Sequence, residues 1–257
     1  MPNDPTSGVV GRSRETELVV AALAARRHVV LEGPPGTGKS TLLRSVARSF
    51  GVSFVFVEGN AELTPSRLIG NFDPARVLDE GYVPASFVDG PLVQALREGS
   101  LLYIEEINRI PEETLNVLVT VMSEGEITIP RYGKVTAGDG FRLVAAMNPF
   151  DAVGTARISS AISDRVCRVA MTYQSREDEV AIVEHATNGQ LSLADREWLK
   201  GVVEVTRATR GHQDLRVGSS VRGAIDTVLI AEQLMAMRGA GATRTKSEEH
   251  TSELQSH

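Results

Sequence analysis

The stretch Gly33-Pro34-Pro35-Gly36-Thr37-Gly38-Lys39-Ser40-Thr41 constrains this chain more than any other. Before it lies His28-Val29-Val30-Leu31-Glu32, a β-branched run of the kind that fills a buried strand. After it, from Lys39 to Phe50, the residues Leu42, Leu43, Val46, Ala47 and Phe50 recur at helical spacing. Strand, glycine-rich loop and helix in that order make a phosphate cradle. The glycines let the backbone turn tightly enough to aim successive N–H groups at one anion, and the positive end of the helix favours the same charge. The pattern is that of the P-loop, so Gly33 to Thr41 are read as nucleotide-binding. Lys39 is expected to reach the β and γ phosphates of ATP, and the Ser40 hydroxyl to ligate Mg²⁺.

A second feature stands downstream. Leu101 to Ile104 is an apolar strand that delivers Glu105 and Glu106 at its carboxyl end. In open α/β sheets ligands sit beyond that end of the strands. A carboxylate pair there, after a P-loop, is the Walker B arrangement: Glu105 is read as helping to hold Mg²⁺, partly through water, and Glu106 as orienting the attacking water. Glutamate at the first position keeps the charge of the usual aspartate and adds a methylene that shifts the ion.

Around these two features helices and strands alternate. A helix is read over Glu15 to Ala25, a second strand over Ser53 to Val57, and a helix begins at Thr64-Pro65, with threonine as its cap and proline at its first position. Residues 70–90 read as irregular. Pro91 to Glu98 and Pro111 to Glu124 read as helices, Glu126 to Thr136 as a β-hairpin, Arg142 to Met147 as a central strand ending at Asn148, and Val166 to Met171 as the last strand. Alternation of this kind implies a parallel sheet covered on both faces. Beyond it Arg176 to Glu184, Leu193 to Val205 and Ser220 to Met237 all read as helical, with Trp198 as a core anchor. The fold class is therefore α/β: a P-loop αβα sandwich over residues 9–173, then a small all-helical lid over 174–240. A flexible segment over 1–8 and a disordered tail over 241–257 flank them.

The net charge of −6 speaks against a dedicated nucleic-acid surface, because such binding needs clustered Lys and Arg. The single cysteine, Cys167, excludes an intrachain disulfide and a Cys-rich zinc site. No run approaches the ~18 apolar residues of a membrane span, and Met1 to Pro5 lacks a signal-peptide pattern, so the cytoplasm is the expected compartment.

Taken together, the Walker pair, the run Ile104 to Pro111, the hairpin, Ala146-Met147-Asn148-Pro149 and Ala161-Ile162-Ser163-Asp164-Arg165 resemble the MoxR branch of the AAA+ ATPases, over roughly Val9 to Met237. The resemblance implies assembly into a homo-oligomeric ring, with a hexamer favoured. It places Asn148 as sensor 1, Arg165 as the arginine finger that reaches a neighbour's γ-phosphate, and Arg222 in Gly218-Ser219-Ser220-Val221-Arg222 as sensor 2 on the lid. Arg157 is a rival finger. The finger motif here is Asp-Arg-Val where the family has Asp-Arg-Phe. The resemblance also implies ATP hydrolysis coupled to chaperone-like remodelling or maturation of a client, and a partner with a von Willebrand factor A domain. Asn71-Phe72-Asp73 and Tyr132 are candidates for that surface.

Two other readings compete. One is a nucleotide-gated binding switch with little turnover, suggested by Glu105 and a short lid; the other is a DNA-processing AAA+ subunit, disfavoured by the acidic balance. Finally, Ser247 to His257 resembles the conceptual translation of a short-read sequencing adapter. On that reading the native coding sequence is cut near Ala240 to Lys246 and the lid lacks its last helices.

Overall fold

The computed structural model describes residues 8–149, 160–187, 196–215 and 217–238. The chain divides into two compact units, one ending at Thr172 and the other beginning at Tyr173.

The first unit is organised by a parallel sheet. In chain order its elements are α1 (Ser13–Ala24), β1 (His28–Glu32), α2 (Lys39–Phe50), β2 (Phe54–Glu58), α3 (Pro65–Ile69), β3 (Gly70–Phe72), α4 (Pro74–Glu80), β4 (Phe87–Asp89), α5 (Pro91–Glu98) and β5 (Leu101–Glu105). There follow α6 (Glu112–Glu124), β6 (Glu126–Ile129), β7 (Gly133–Thr136), β8 (Arg142–Met147), α7 (Ser160–Ser163) and β9 (Val166–Ala170). The main sheet has the order β2-β5-β8-β1-β9, and every neighbouring pair is parallel. Strands buried on both faces need apolar side chains at consecutive positions. Val29 and Leu31 of β1, Leu101 and Tyr103 of β5, and Val144 and Ala146 of β8 face α1 and α2, through Val19, Leu23, Leu42, Leu43 and Val46. Val30, Leu102, Ile104, Leu143 and Ala145 face the other way, onto Leu68, Leu92, Leu96, Leu115 and Leu118.

This order puts the carboxyl ends of β5, β8 and β1 side by side. Of the adjacent strands β1 and β8, the connection out of β1 runs to β2 on one side of the sheet and that out of β8 runs to β9 on the other. That is the switch point at which open α/β sheets bind their ligands.

Residues 70–90 are not irregular. Strands β3 and β4 pair antiparallel, Gly70 with Asp89 through Phe72 with Phe87, and enclose α4. Asp73 caps α4, its Oδ1 accepting from the Ala75 amide at 2.9 Å, with Pro74 at the first turn. Phe72 and Tyr132 are half-buried and pack on other rings. Phe72 meets the Phe87 ring edge-on at 5.1 Å, and Phe87 meets Tyr132 at 4.7 Å, so the rings knit the β3–β4 and β6–β7 hairpins together. The exposed large hydrophobic side chains of this region are Leu78 on α4, Tyr82, and Val88 on β4, with Leu78 the most exposed.

The second unit contains α8 (Arg176–Ala186), α9 (Arg196–Ala208) and α10 (Val221–Arg238). Val180, Val183, Leu199, Val203, Val221, Ala224 and Val228 form its core, with Trp198 packed against them. Glu179, almost wholly buried, is paired with Arg207 at 3.2 Å and Arg210 at 2.7 Å. No helix among the described residues is long and apolar enough to cross a membrane.

Candidate functional site

The loop from Gly33 to Gly38 leaves β1 and folds back to start α2. Gly36 and Gly38 have φ of 72° and 84°, in the left-handed region where only glycine sits without strain, and Gly38 is the cap of α2. Gly33 is required for a different reason: a Cβ there would lie 2.2 Å from the Met171 carbonyl oxygen, where β9 ends. The Gly33 amide donates to the Met147 carbonyl at 3.1 Å, which ties the loop to the end of β8. Thr37 closes the loop, its hydroxyl donating to the Pro34 carbonyl at 3.0 Å. Lys39 is buried in the cradle, with its ammonium donating to the carbonyls of Gly33 and Pro34 at 2.8 Å each. A cation held inside a concave loop, above a helix N-terminus, is what a polyphosphate tail needs. Pro35 and Thr41 complete the stretch, Pro35 in the turn and Thr41 exposed on α2.

Ser40 and Glu105, distant in sequence, meet here. The Ser40 hydroxyl donates to Glu105 Oε1 at 3.0 Å and lies 3.2 Å from the Tyr103 phenol oxygen. One hydroxyl and one carboxylate at that spacing fit Mg²⁺, which keeps several waters and takes few protein ligands beside phosphate oxygens. Among the described residues no cluster of three His, Cys, Asp or Glu side chains offers a rival, all-protein metal cage. Burial pushes the Tyr103 phenol well above its ordinary pKa, and the Glu105 and Glu106 charges push the same way, so it keeps its proton.

Glu106 follows at the strand end with φ 53° and ψ 44°, a left-handed conformation that costs a non-glycine residue roughly 1–2 kcal/mol. That turn swings its carboxylate off the line of the strand. Oε2 is buried without a hydrogen bond and lies 3.6 Å from Arg109 Nε. The surrounding backbone holds the turn in place. Gly59, at the end of β2, donates its amide to the Glu105 carbonyl at 2.7 Å, and a Cβ on Gly59 would lie 2.5 Å from the Glu106 carbonyl oxygen. Buried Asn108 donates to the Asn148 carbonyl at 3.4 Å, linking the turn after β5 to the end of β8.

Asn148 thus lies at the carboxyl end of β8, between the strands that carry the loop and the two carboxylates. Arg165 stands exposed in the turn after α7, its guanidinium donating to Ser123 Oγ at 2.6 Å and to the Ala161 carbonyl at 2.7 Å. Arg222 belongs to the second unit, exposed in the first turn of α10, where its amide donates to Ser220 Oγ at 3.3 Å. Arg157 lies outside the described residues, as do residues 1–7 and the tail over 241–257. The first unit therefore brings together Gly33 to Ser40, Glu105, Glu106 and Asn148.

Three residues at the site go beyond the sequence reading. Gly59 lies in a strand end without any motif. Tyr103 looks like one more apolar member of its strand. Arg12, before α1, is 3% exposed, is paired with Glu15 at 2.7 Å, and donates through Nη2 to the Thr37 carbonyl at 3.0 Å and the Thr172 carbonyl at 2.5 Å. It braces the phosphate loop from behind. An arginine following Val9-Val10-Gly11 carries no periodic or spacing signal that would have singled it out.

Residues 28–166 match the family model of the AAA domain, dynein-related subfamily. Among curated proteins, the chain is 28% identical over 248 residues to the uncharacterized protein YeaC of Bacillus subtilis, covering 87% of this chain and 74% of that one. It is 31% identical over 209 residues to the gas vesicle ATPase GvpN of Haloferax mediterranei, covering 75% and 59%. Among solved structures, Thermotoga maritima RuvB aligns with a TM-score of 0.62 at 18% identity, over 89% of this chain and 64% of that one. NtrX of Brucella abortus, in complex with ATP, aligns with a TM-score of 0.59 at 18% identity, over 89% and 53%. At such identities these two structures speak to the fold alone.

Proposed function

The chain belongs to the dynein-related subfamily of AAA domains, a nucleotide-binding ATPase family, and we propose that it hydrolyses ATP with Mg²⁺ and passes the resulting motion to a protein partner. The observation that carries this reading is the Ser40–Glu105 contact at 3.0 Å with Glu106 turned out beside it. Gly33 to Thr41 wrap the phosphates, and Lys39 exchanges its loop carbonyls for phosphate oxygens. Ser40 and Glu105 hold the ion, Glu105 partly through water; when bound, the ion neutralises charge building on the phosphate oxygens. Glu106 accepts a hydrogen bond from the attacking water and takes its proton, and Asn148 orients that water.

The remaining chemistry is assigned between subunits. Arg165 acts as the finger on a neighbour's γ-phosphate in a homo-oligomeric ring, most simply a hexamer, and Arg222 contacts the nucleotide from the helical unit. An arginine finger contributes on the order of 10³- to 10⁵-fold in rate. The work done is chaperone-like remodelling or maturation of a client in the cytoplasm, of the MoxR type, with a von Willebrand factor A domain protein as partner. An exposed apolar group available for such a contact is Leu78 on α4.

The test is steady-state ATP hydrolysis over a range of protein concentrations, with Glu106→Gln alongside. Specific activity is expected to rise with concentration, and the variant to bind nucleotide as the wild type does while hydrolysing at least ~100-fold more slowly. A wild type no faster than Glu106→Gln overturns the reading.

A further inference from the structure

We propose that Tyr103 is a positioning residue of the divalent-ion site: its phenol fixes the Ser40 hydroxyl, and through it the Glu105 carboxylate, at the spacing at which one ion meets both. The inference rests on the Mg²⁺ and ATP reading above and adds to it a residue that the P-loop and Walker B patterns leave unassigned.

The side chain is wholly buried, on the face of β5 that packs against α2. Its ring lies 5.4 Å from Phe54 and 5.6 Å from Phe56, so phenylalanine or leucine would serve the packing equally well. The hydroxyl is the part that packing does not explain. A buried Tyr O–H finds a partner, and this one finds Ser40 Oγ at 3.2 Å, whose own hydroxyl donates to Glu105 Oε1 at 3.0 Å. Tyr103 and Glu105 lie two apart on one strand and so point to the same face. Ser40 reaches that face from the first turn of α2. The three polar groups thus form a relay, phenol to hydroxyl to carboxylate, at the floor of the phosphate loop.

The relay answers a difficulty posed by Glu105. Glutamate has one more torsion than aspartate, so its carboxylate has more positions to lose when an ion fixes it, and each loss weakens binding. Ser40 alone constrains one carboxylate oxygen. A phenol anchored by two aromatic neighbours holds that Ser40 hydroxyl in place, so the ion meets ligands already set. Pre-organisation of this kind shows in ion affinity and leaves the phosphate cradle untouched.

The experiment titrates a fluorescent ATP analogue against wild type, Tyr103→Phe, Glu105→Asp and the double variant, in EDTA and then across Mg²⁺ and Mn²⁺ concentrations. Mn²⁺ uptake in the presence of ADP is followed separately by electron paramagnetic resonance. Tyr103→Phe keeps the ring, so its analogue affinity in EDTA is expected to stay within twofold of wild type. The ion concentration for half-maximal tightening is expected to rise about three- to tenfold, the worth of one hydrogen bond. On the Glu105→Asp background, where the shorter carboxylate no longer reaches the Ser40 hydroxyl, the same change is expected to cost less than twofold.

The outcomes separate. A wild type that responds to the ion and a Tyr103→Phe protein that responds at the same concentration overturn the role of Tyr103 and leave the ATP site standing. Equal costs of Tyr103→Phe on both backgrounds also overturn it. A wild type whose nucleotide affinity ignores divalent ions overturns the site reading, and this assignment with it.

Discussion

Gly59→Ala tests whether the backbone around the two carboxylates is as tightly determined as its geometry implies. Gly59 does not adopt a left-handed conformation, so alanine carries no intrinsic penalty there. The whole effect comes from where the new methyl group points. Its carbon would lie 2.5 Å from the Glu106 carbonyl oxygen and 2.8 Å from that of Glu105, where ordinary contact begins near 3.4 Å. Both atoms are backbone, so strand β5 must move at its end by about 0.6–0.9 Å, or β2 must retreat and break the 2.7 Å bond between the Gly59 amide and the Glu105 carbonyl. Overpacking of this size costs roughly 1–3 kcal/mol in stability. The catalytic cost is larger, because a displacement near 1 Å at the reacting groups takes about 100-fold from the rate. Nucleotide binding through the Gly33–Thr41 loop, on β1 and α2, is left intact. The assay pairs steady-state hydrolysis with equilibrium nucleotide binding and a thermal melt. Hydrolysis within threefold of wild type, in a variant that melts normally, would refute the claim that Gly59 sets the position of Glu105 and Glu106.

Three further perturbations follow from buried charge. His28 is held near pKa 4, first by burial and then by the Arg142 charge, and its Nδ1 accepts from the Leu143 amide at 2.9 Å. The unfolded chain protonates near 6.5, so between pH 6.5 and 4 it binds the extra proton and the folded chain does not. Stability is therefore full above 6.5 and falls as pH drops, by up to about 3 kcal/mol, and His28→Gln should flatten that slope in thermal melts from pH 7.5 to 4.5. Arg12→Ala strands the Glu15 carboxylate and two carbonyls; it should cost about 3 kcal/mol in denaturant unfolding and weaken nucleotide binding, because Thr37 belongs to the loop. Glu179→Gln leaves Arg207 and Arg210 facing a neutral group in the second unit, and hydrogen exchange should show protection lost from α8 to α10 while the β1 and β8 amides keep theirs.

The parts of this protein that were legible in the sequence are those where one local rule dominates. The glycine loop, the apolar run before Glu105 and the Thr64-Pro65 cap each declare themselves within a few residues, and Thr64 Oγ1 does accept from the Arg67 amide, at 3.3 Å. Residues 70–90 misled because two prolines read as loop, although Asp73-Pro74 is the same cap signal as Thr64-Pro65. Three-residue strands such as β3 and β4 are too short for alternation to register, and what holds them is the ring contact between Phe72 and Phe87. Gly59, Tyr103 and Arg12 escaped for a common reason. Each matters through one contact across a long sequence separation, to Glu106, Ser40 and Thr37 respectively, and nothing beside it in the chain announces the partner.

The contacts also distinguish two kinds of residue within the first unit. The two residues at the end of β5 are held at several points: Glu105 by the Ser40 hydroxyl, itself held by Tyr103, and the Glu106 backbone by its left-handed turn, the close approach of Gly59, and Asn108 bridging to Asn148. A residue kept at a cost of 1–2 kcal/mol in backbone strain persists only where its surroundings hold it. Arg165 is the opposite case. It is exposed and tethered by hydrogen bonds to Ser123 Oγ and the Ala161 carbonyl, each worth about 1 kcal/mol net. A phosphate can draw the guanidinium away, since it adds its own negative charge and accepts two parallel N–H bonds where the serine and the carbonyl each accept one. A site with the end of β5 firmly held and its outer arginine loosely moored is suited to chemistry that waits for a second surface. Arg165→Lys, which keeps the charge and loses the planar fork, is expected to preserve the melting temperature and nucleotide affinity of the isolated chain while reducing concentration-dependent hydrolysis at least ~100-fold. Hydrolysis unchanged in that variant at every protein concentration would remove Arg165 from the reaction.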